Sequence, residues 1–154
     1  MLTQYLDPTT DIGFKKLFGA EASRPVLKSF LSDLLELPSP MGELTFIPNE
    51  QEPRSSEERL AISSISCQAE HAPNEDISGG HFSLEMHRTH LPYLKDRAFY
   101  YSMLAINQQD RKREWDGRLK PVYWITLLNF RFHDDGQYFS RLQLMDDHNN
   151  VFSD

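Results

Sequence analysis

The stretch His81-Phe82-Ser83-Leu84-Glu85-Met86-His87 sets Leu84 and Met86 against Ser83, Glu85 and His87 in alternation. Successive side chains of an extended chain point to opposite faces, so this is the pattern of a half-buried strand. A carboxylate and an imidazole two residues apart then share its polar face. Lys95-Asp96-Arg97-Ala98-Phe99-Tyr100-Tyr101 follows without Gly or Pro and with apolar residues at helical spacing. The spacing predicts a helix over 95–109, fed by the Glu85 strand and packed beside it. Phe99, Tyr100, Tyr101 and Met103 read as its core residues.

Working outward, Asp7-Pro8-Thr9-Thr10-Asp11 is a polar, turn-rich entry to a helix, with Thr9 or Thr10 as its cap. Phe14, Leu17 and Phe18 stand at i, i+3 and i+4, which predicts a short amphipathic helix over 11–18 ending at Gly19. A second helix follows Ser23-Arg24-Pro25, with Pro in the first turn, where its missing N–H matters least. Leu27, Phe30, Leu31, Leu34 and Leu35 give it a continuous apolar stripe before Pro38. Leu44 and Phe46 mark a strand, residues 49–58 a polar connection, and residues 60–67 a serine-rich strand. A long hairpin loop over 68–80 leads back to the Glu85 strand. Val122-Tyr123-Trp124-Ile125-Thr126-Leu127-Leu128 is nearly all apolar and predicts the most buried strand, in the middle of the sheet. Asp135-Gly136 turns the chain into a last strand with Phe139, Leu142 and Leu144 as its apolar residues.

With 154 residues the chain has the size of one domain, large enough to bury a core, and 39% hydrophobic residues argue against wholesale disorder. A formal net charge of −7 gives no whole-molecule attraction for phosphate, so any nucleic-acid contact has to come from a local basic patch. Cys67 is the single cysteine and no apolar run is long enough to span a membrane. No start resembling a signal peptide opens the chain, so a reducing, cytoplasmic location is expected.

From residue 6 to about residue 130 the motifs become specific. Leu6-Asp7-Pro8-Thr9-Thr10-Asp11-Ile12-Gly13-Phe14-Lys15-Lys16-Leu17-Phe18-Gly19, then Phe82-Ser83-Leu84-Glu85-Met86-His87, Lys95-Asp96-Arg97-Ala98-Phe99-Tyr100-Tyr101, Gln109 and Leu119-Lys120-Pro121-Val122-Tyr123 stand in one order. In that order they resemble the recombination-promoting nuclease and putative transposase family, a branch of the PD-(D/E)XK nuclease superfamily. The resemblance implies an α/β fold with a restriction-endonuclease-like core, a central mixed sheet flanked by helices. It implies one nuclease-like domain over 1–154, incomplete at its C-terminus relative to the family, with apolar residues near Phe139, Leu142, Leu144 and Phe152 left under-packed.

The family's chemistry is metal-dependent cleavage of DNA phosphodiesters. A divalent ion polarises the phosphate and lowers the pKa of the attacking water, and magnesium, or manganese in its place, takes carboxylate oxygens. By resemblance Glu85 is the second of two metal carboxylates. Ser64 stands where the first, an Asp, is expected, and His87 stands where a Lys or Gln orients the water. Gln109 matches a family position on the active-site side of the helix, and Asp11 is a further candidate acid. Ser64 and His87 therefore imply a weakened or inactive site, with the ion bound poorly or not at all. Two alternatives for His87 stay open: a zinc or manganese site with Glu85, or a solvated strand residue.

The basic residues expected to meet DNA are Lys15, Arg88, Lys95, Arg97, Arg111, Lys112 and Arg113, with a solvated helix end as the competing reading for the last three. Three classes of function remain: a metal-dependent endonuclease of transposase type, a non-catalytic relative that binds DNA, its own copies or full-length paralogues, and a mobile-element remnant.

Overall fold

The computed structural model describes residues 5–37, 41–48, 55–56, 61–70, 78–109, 117–143 and 145–150. Among the described residues, the helices α1 (Asp11–Phe18), α2 (Arg24–Leu34) and α3 (Leu94–Gln109) surround the strands β1 (Glu43–Ile47), β2 (Ile62–Glu70), β3 (His81–His87) and β4 (Val122–Leu128). A single 3₁₀ turn, Glu21–Ser23, joins α1 to α2. The strands form one sheet in the order β1-β2-β3-β4. β1, β2 and β3 pair antiparallel and β4 runs parallel to β3. The parallel pairing of β3 and β4 requires a crossover, which α3 supplies.

The N-terminal motif is a device for starting α1. Asp7 Oδ1 accepts from both the backbone N–H and the hydroxyl of Thr9, at 2.9 and 2.8 Å. The Thr10 hydroxyl donates to the Asp7 carbonyl at 2.8 Å and accepts from the Gly13 N–H at 3.0 Å, which caps the helix. The loop lies so close that a Cβ on Gly13 would fall 1.7 Å from the Asp7 carbonyl oxygen. Only glycine fits there. The stripe then carries Phe14 and Phe18 inward, with their rings edge to face at 5.7 Å.

α1 and α2 cover one face of the sheet. Phe14, Phe18, Leu27 and Leu31 pack there with Leu44 of β1, Cys67 and Ala69 of β2, and Phe82, Leu84 and Met86 of β3. Burial pushes the Cys67 thiol up to about 12, so it stays protonated and behaves as a small apolar side chain. α3 covers the opposite face with Leu94, Arg97, Tyr101 and Ala105, and Tyr101 stacks on Trp124 at 5.6 Å.

Several expectations are corrected. β3 is not half-buried: six of its seven residues are buried, because α3 seals the polar face as α1 and α2 seal the apolar one. β4 is not central but the outermost described strand, half-buried at every residue, since an apolar run reports burial without reporting sheet order. β2 begins at Ile62 and continues to Glu70, so the serine-rich strand ends later than expected. Residues 137–143 form no regular strand, and Tyr138, Phe139, Leu142 and Met145 are exposed. On α3, Tyr101 is core, but Phe99, Tyr100 and Met103 face solvent. Leu144, Phe152 and most of the loops after β1 and β2 lie outside the described residues. No described helix is long and apolar enough to cross a membrane.

Candidate active site

Glu85 lies at the middle of the sheet on the α3 face. It is paired across β2 with Ser64 and across β4 with Thr126. Directly opposed residues project to the same face, so two hydroxyl-bearing residues flank the carboxylate in its own row. His87 follows two residues on, between Ile62 and Leu128.

From the helix side Arg97 closes the site. Its Nη2 donates to Glu85 Oε1 at 3.0 Å, and His87 Nε2 donates to Glu85 Oε2 at 2.7 Å. Glu85 and His87 are wholly buried and Arg97 is 7% exposed. Because the carboxylate only accepts, the imidazole hydrogen sits on Nε2. His87 Nδ1 is buried and has no hydrogen-bond partner among the described residues. The Arg97 guanidinium also lies over the Tyr101 ring at 4.7 Å, which holds its plane. The result is a closed hydrogen-bonded triad with a nitrogen on each carboxylate oxygen. His87 is thus a buried partner of Glu85 and not a solvated strand residue.

A second polar cluster occupies the α1 face. The Ser63 hydroxyl donates to Asp11 Oδ1 at 2.6 Å and accepts from Arg88 Nη1 at 2.7 Å, while Lys15 Nζ lies 3.0 Å from Asp11 Oδ1. Partial burial raises the Asp11 pKa, but hydrogen bonds from Ser63 and Lys15 and the charges of Lys15 and Arg88 outweigh it, leaving the carboxyl below its usual range. Ser63 and Ser64 are neighbours on one strand and point to opposite faces. Asp11 therefore belongs to the far side of β2 from Glu85.

The other candidates scatter. Gln109 is not at the site: its amide grips the backbone of Lys120, donating from Nε2 to the carbonyl at 2.9 Å and accepting the N–H at Oε1 at 2.7 Å. It is twelve residues along α3 from Arg97, about 18 Å at 1.5 Å per residue, and it fixes the chain just ahead of β4. Arg97 is an internal counter-charge, so it is withdrawn from the surface cations expected to meet phosphate. Lys15 is exposed but paired with Asp11, Arg88 is turned onto Ser63, and Lys95 is exposed with its amine 5.5 Å from the Phe132 ring centre. Arg111, Lys112 and Arg113 lie outside the described residues. The sequence reading missed the role of Arg97, although a signal exists. Arg97 falls on the buried stripe of α3, with Leu94, Tyr101 and Ala105 at helical spacing. A charge on such a stripe requires a partner, and Glu85 is the partner available.

An antiparallel three-stranded unit, a crossover helix and a fourth parallel strand, with an acidic residue at the centre of β3, define a nuclease-type α/β core. The family described as PD-(D/E)XK nuclease family transposase matches residues 8–154, and the chain belongs to that family. No curated protein and no solved structure matches the chain.

Nucleases of this superfamily generally use divalent ions, and the residues at Glu85 do not fit one. Each carboxylate oxygen already accepts from a nitrogen, one of them on a permanently charged guanidinium. Ser64 adds a neutral hydroxyl where a second carboxylate would be needed. Among the described residues no group of three His, Cys, Asp or Glu side chains could hold a metal ion. What the arrangement does chemically is neutralise a buried charge and tie β3 to α3.

Proposed function

We propose that this chain is a PD-(D/E)XK transposase-family protein in which the residues around Glu85 have passed from metal-dependent hydrolysis to holding the fold. What it retains of the family's function is contact with DNA without cleavage. The observation that carries the reading is that Arg97 and His87 take both oxygens of Glu85 while Ser64 stands across the strand pair. Relative to a pair of free carboxylates, the site has lost one negative charge at Ser64 and gained a positive one from Arg97. The first change removes an attraction for a divalent ion and the second adds a repulsion. His87 directs its one Nε2 hydrogen at Glu85, so that atom is not available to orient a water. DNA contact then rests on exposed cations such as Lys16 and Lys95, in a molecule of net charge −7. Such contact is sequence-independent and falls steeply with salt.

Nicking of supercoiled plasmid with magnesium, with manganese and with EDTA tests this at fixed salt. The unmodified chain should give no EDTA-sensitive nicking, while duplex DNA should be retarded in a gel at low salt and released as salt rises. Ser64→Asp combined with His87→Gln restores a second carboxylate and removes the imidazole from Glu85 Oε2 but leaves Arg97 on Oε1. It should therefore introduce weak metal-dependent nicking, and adding Glu85→Ala should remove it. EDTA-sensitive cleavage by the unmodified chain that disappears in Glu85→Ala would sink the reading.

A further inference from the structure

The outer edge of β4 has no partner strand among the described residues. Its hydrogen-bonding groups can be assigned individually. The Asn129 N–H donates to the His87 carbonyl and the Pro121 carbonyl accepts from the His81 N–H, so with the parallel register the odd-numbered residues of β4 bond to β3. Val122, Trp124, Thr126 and Leu128 therefore direct both their N–H and their C=O away from the sheet. The strand carries none of the usual protections of an edge: no charge, no proline, no glycine, and no break in its seven residues. All of it is half-buried, an intermediate state for a run of Val, Tyr, Trp, Ile and Leu.

We propose that this edge pairs with β4 of a second copy of the chain, antiparallel and centred on Ile125, to give one continuous sheet through a two-fold axis. Two features select this occupant and this direction. The first is register. Antiparallel pairing about Ile125 sets Val122 opposite Leu128 of the other copy and Trp124 opposite Thr126, and all four are residues whose backbone groups point outward. Every outward group meets a complementary one, and the interface is self-complementary, as a two-fold contact requires. The side chains that meet are Trp with Thr, Tyr with Leu, and Ile with itself. The second feature is charge. Arg118 and Lys120 precede β4, and Arg131, Asp134 and Asp135 follow it, all of them exposed, so the first flank is basic and the second net acidic even with Arg131 3.9 Å from Asp134. Antiparallel pairing brings the basic flank of each copy beside the acidic flank of the other, whereas parallel pairing would set like beside like. The dimer does not depend on whether the Glu85 site cleaves DNA.

Sedimentation velocity of the full chain over a micromolar concentration series, read with amide exchange resolved along β4, tests the pairing. A reversible dimer is expected, with the Trp124 and Thr126 amides slowing as the dimer fraction rises. Thr126→Pro removes one outward N–H and no bond to β3, and should weaken association at least about tenfold. If it also speeds exchange at Ile125 and Leu127, which bond to β3, its fold is damaged and the flank variants decide. Asp134→Lys with Asp135→Lys should weaken the dimer by a similar factor, and adding Arg118→Glu with Lys120→Glu should restore it. A monomer at every concentration overturns the proposal. Fast exchange at Trp124 and Thr126 in that monomer would mean an open edge, and slow exchange would mean that the chain's own residues 137–143 lie on it. A dimer indifferent to both charge reversals also overturns it, since its interface is then elsewhere.

Discussion

The two faces of β3 are buried to nearly the same degree and are made of opposite materials. Toward α1 and α2 it presents Phe82, Leu84 and Met86, packed among Phe14, Leu27 and Leu31; toward α3 it presents Ser83, Glu85 and His87. The first face is held by non-directional packing and tolerates any apolar filling of the right volume. The second is held by directed bonds, and each group on it is stable only while its partner is present. The difference teaches that alternation along a strand separates two environments and does not by itself say that one of them is water.

The comparison is tested most strongly by removing one residue from each face. Phe14→Ala leaves a void among wholly buried side chains and should cost about 3–5 kcal/mol. Arg97→Ala should cost a similar amount, about 3–5 kcal/mol, because it strands the Glu85 carboxylate in the interior. The faces part company on repair. Replacing Arg97, Glu85 and His87 together by apolar residues of matched volume should recover most of the Arg97→Ala loss, since no buried charge is left to compensate. Urea unfolding midpoints of the three proteins decide this. A triple variant no more stable than Arg97→Ala would mean that the α3 face needs its ionic bonds for more than charge balance.

Next in size is the entry to α1, which seats Phe14. Gly13→Ala forces a Cβ against the Asp7 carbonyl oxygen, so either the capping loop or the helix start must move. Overpacking of this kind costs about 1–3 kcal/mol, although alanine is otherwise the better helix former. Thermal unfolding of Gly13→Ala should show the loss. An unchanged midpoint would mean that the loop over 7–10 shifts freely and does not help to seat α1.

The sequence made much of this legible, and the residues that escaped it share a cause. The β3 alternation and the α3 spacing mark their own elements because both are local periodicities. The cap of α1 was legible only as Thr9 or Thr10, between which the fold selects Thr10, and the close approach of Gly13 to Asp7 left no sign in the sequence. The position of β4 at the edge was not readable, since Val122-Tyr123-Trp124-Ile125 would look the same in a central strand. The destination of Arg97 is a contact across twelve residues, and Gln109 grips a backbone that no side-chain pattern records. The resemblance set Ser64 at the position of the first carboxylate, and the strand pairing places it directly opposite Glu85. What the motif could not convey is that a guanidinium closes on Glu85.

The smallest effect distinguishes the second polar cluster from the first. Asp11 is held below its ordinary pKa of 3.8: burial works against ionisation, but the Ser63 and Lys15 hydrogen bonds and the Lys15 and Arg88 charges prevail. A carboxyl whose folded pKa lies below its unfolded value stabilises the fold fully above the unfolded pKa and loses that contribution as pH falls through the folded one. The Asp11 side chain is 45% exposed, so solvent screens the Lys15 pair and the contribution at neutral pH is at most about 1 kcal/mol. Asp11→Asn keeps an acceptor for the Ser63 hydroxyl while removing the charge. Its stability deficit should therefore be under about 1 kcal/mol at pH 7, shrink with added salt, and close as the pH is lowered below the ordinary carboxylate range. Urea midpoints of the two proteins across that range measure the gap. A deficit that widened on acidification would reverse the sign of the linkage and show that burial outweighs the hydrogen bonds and cations around Asp11.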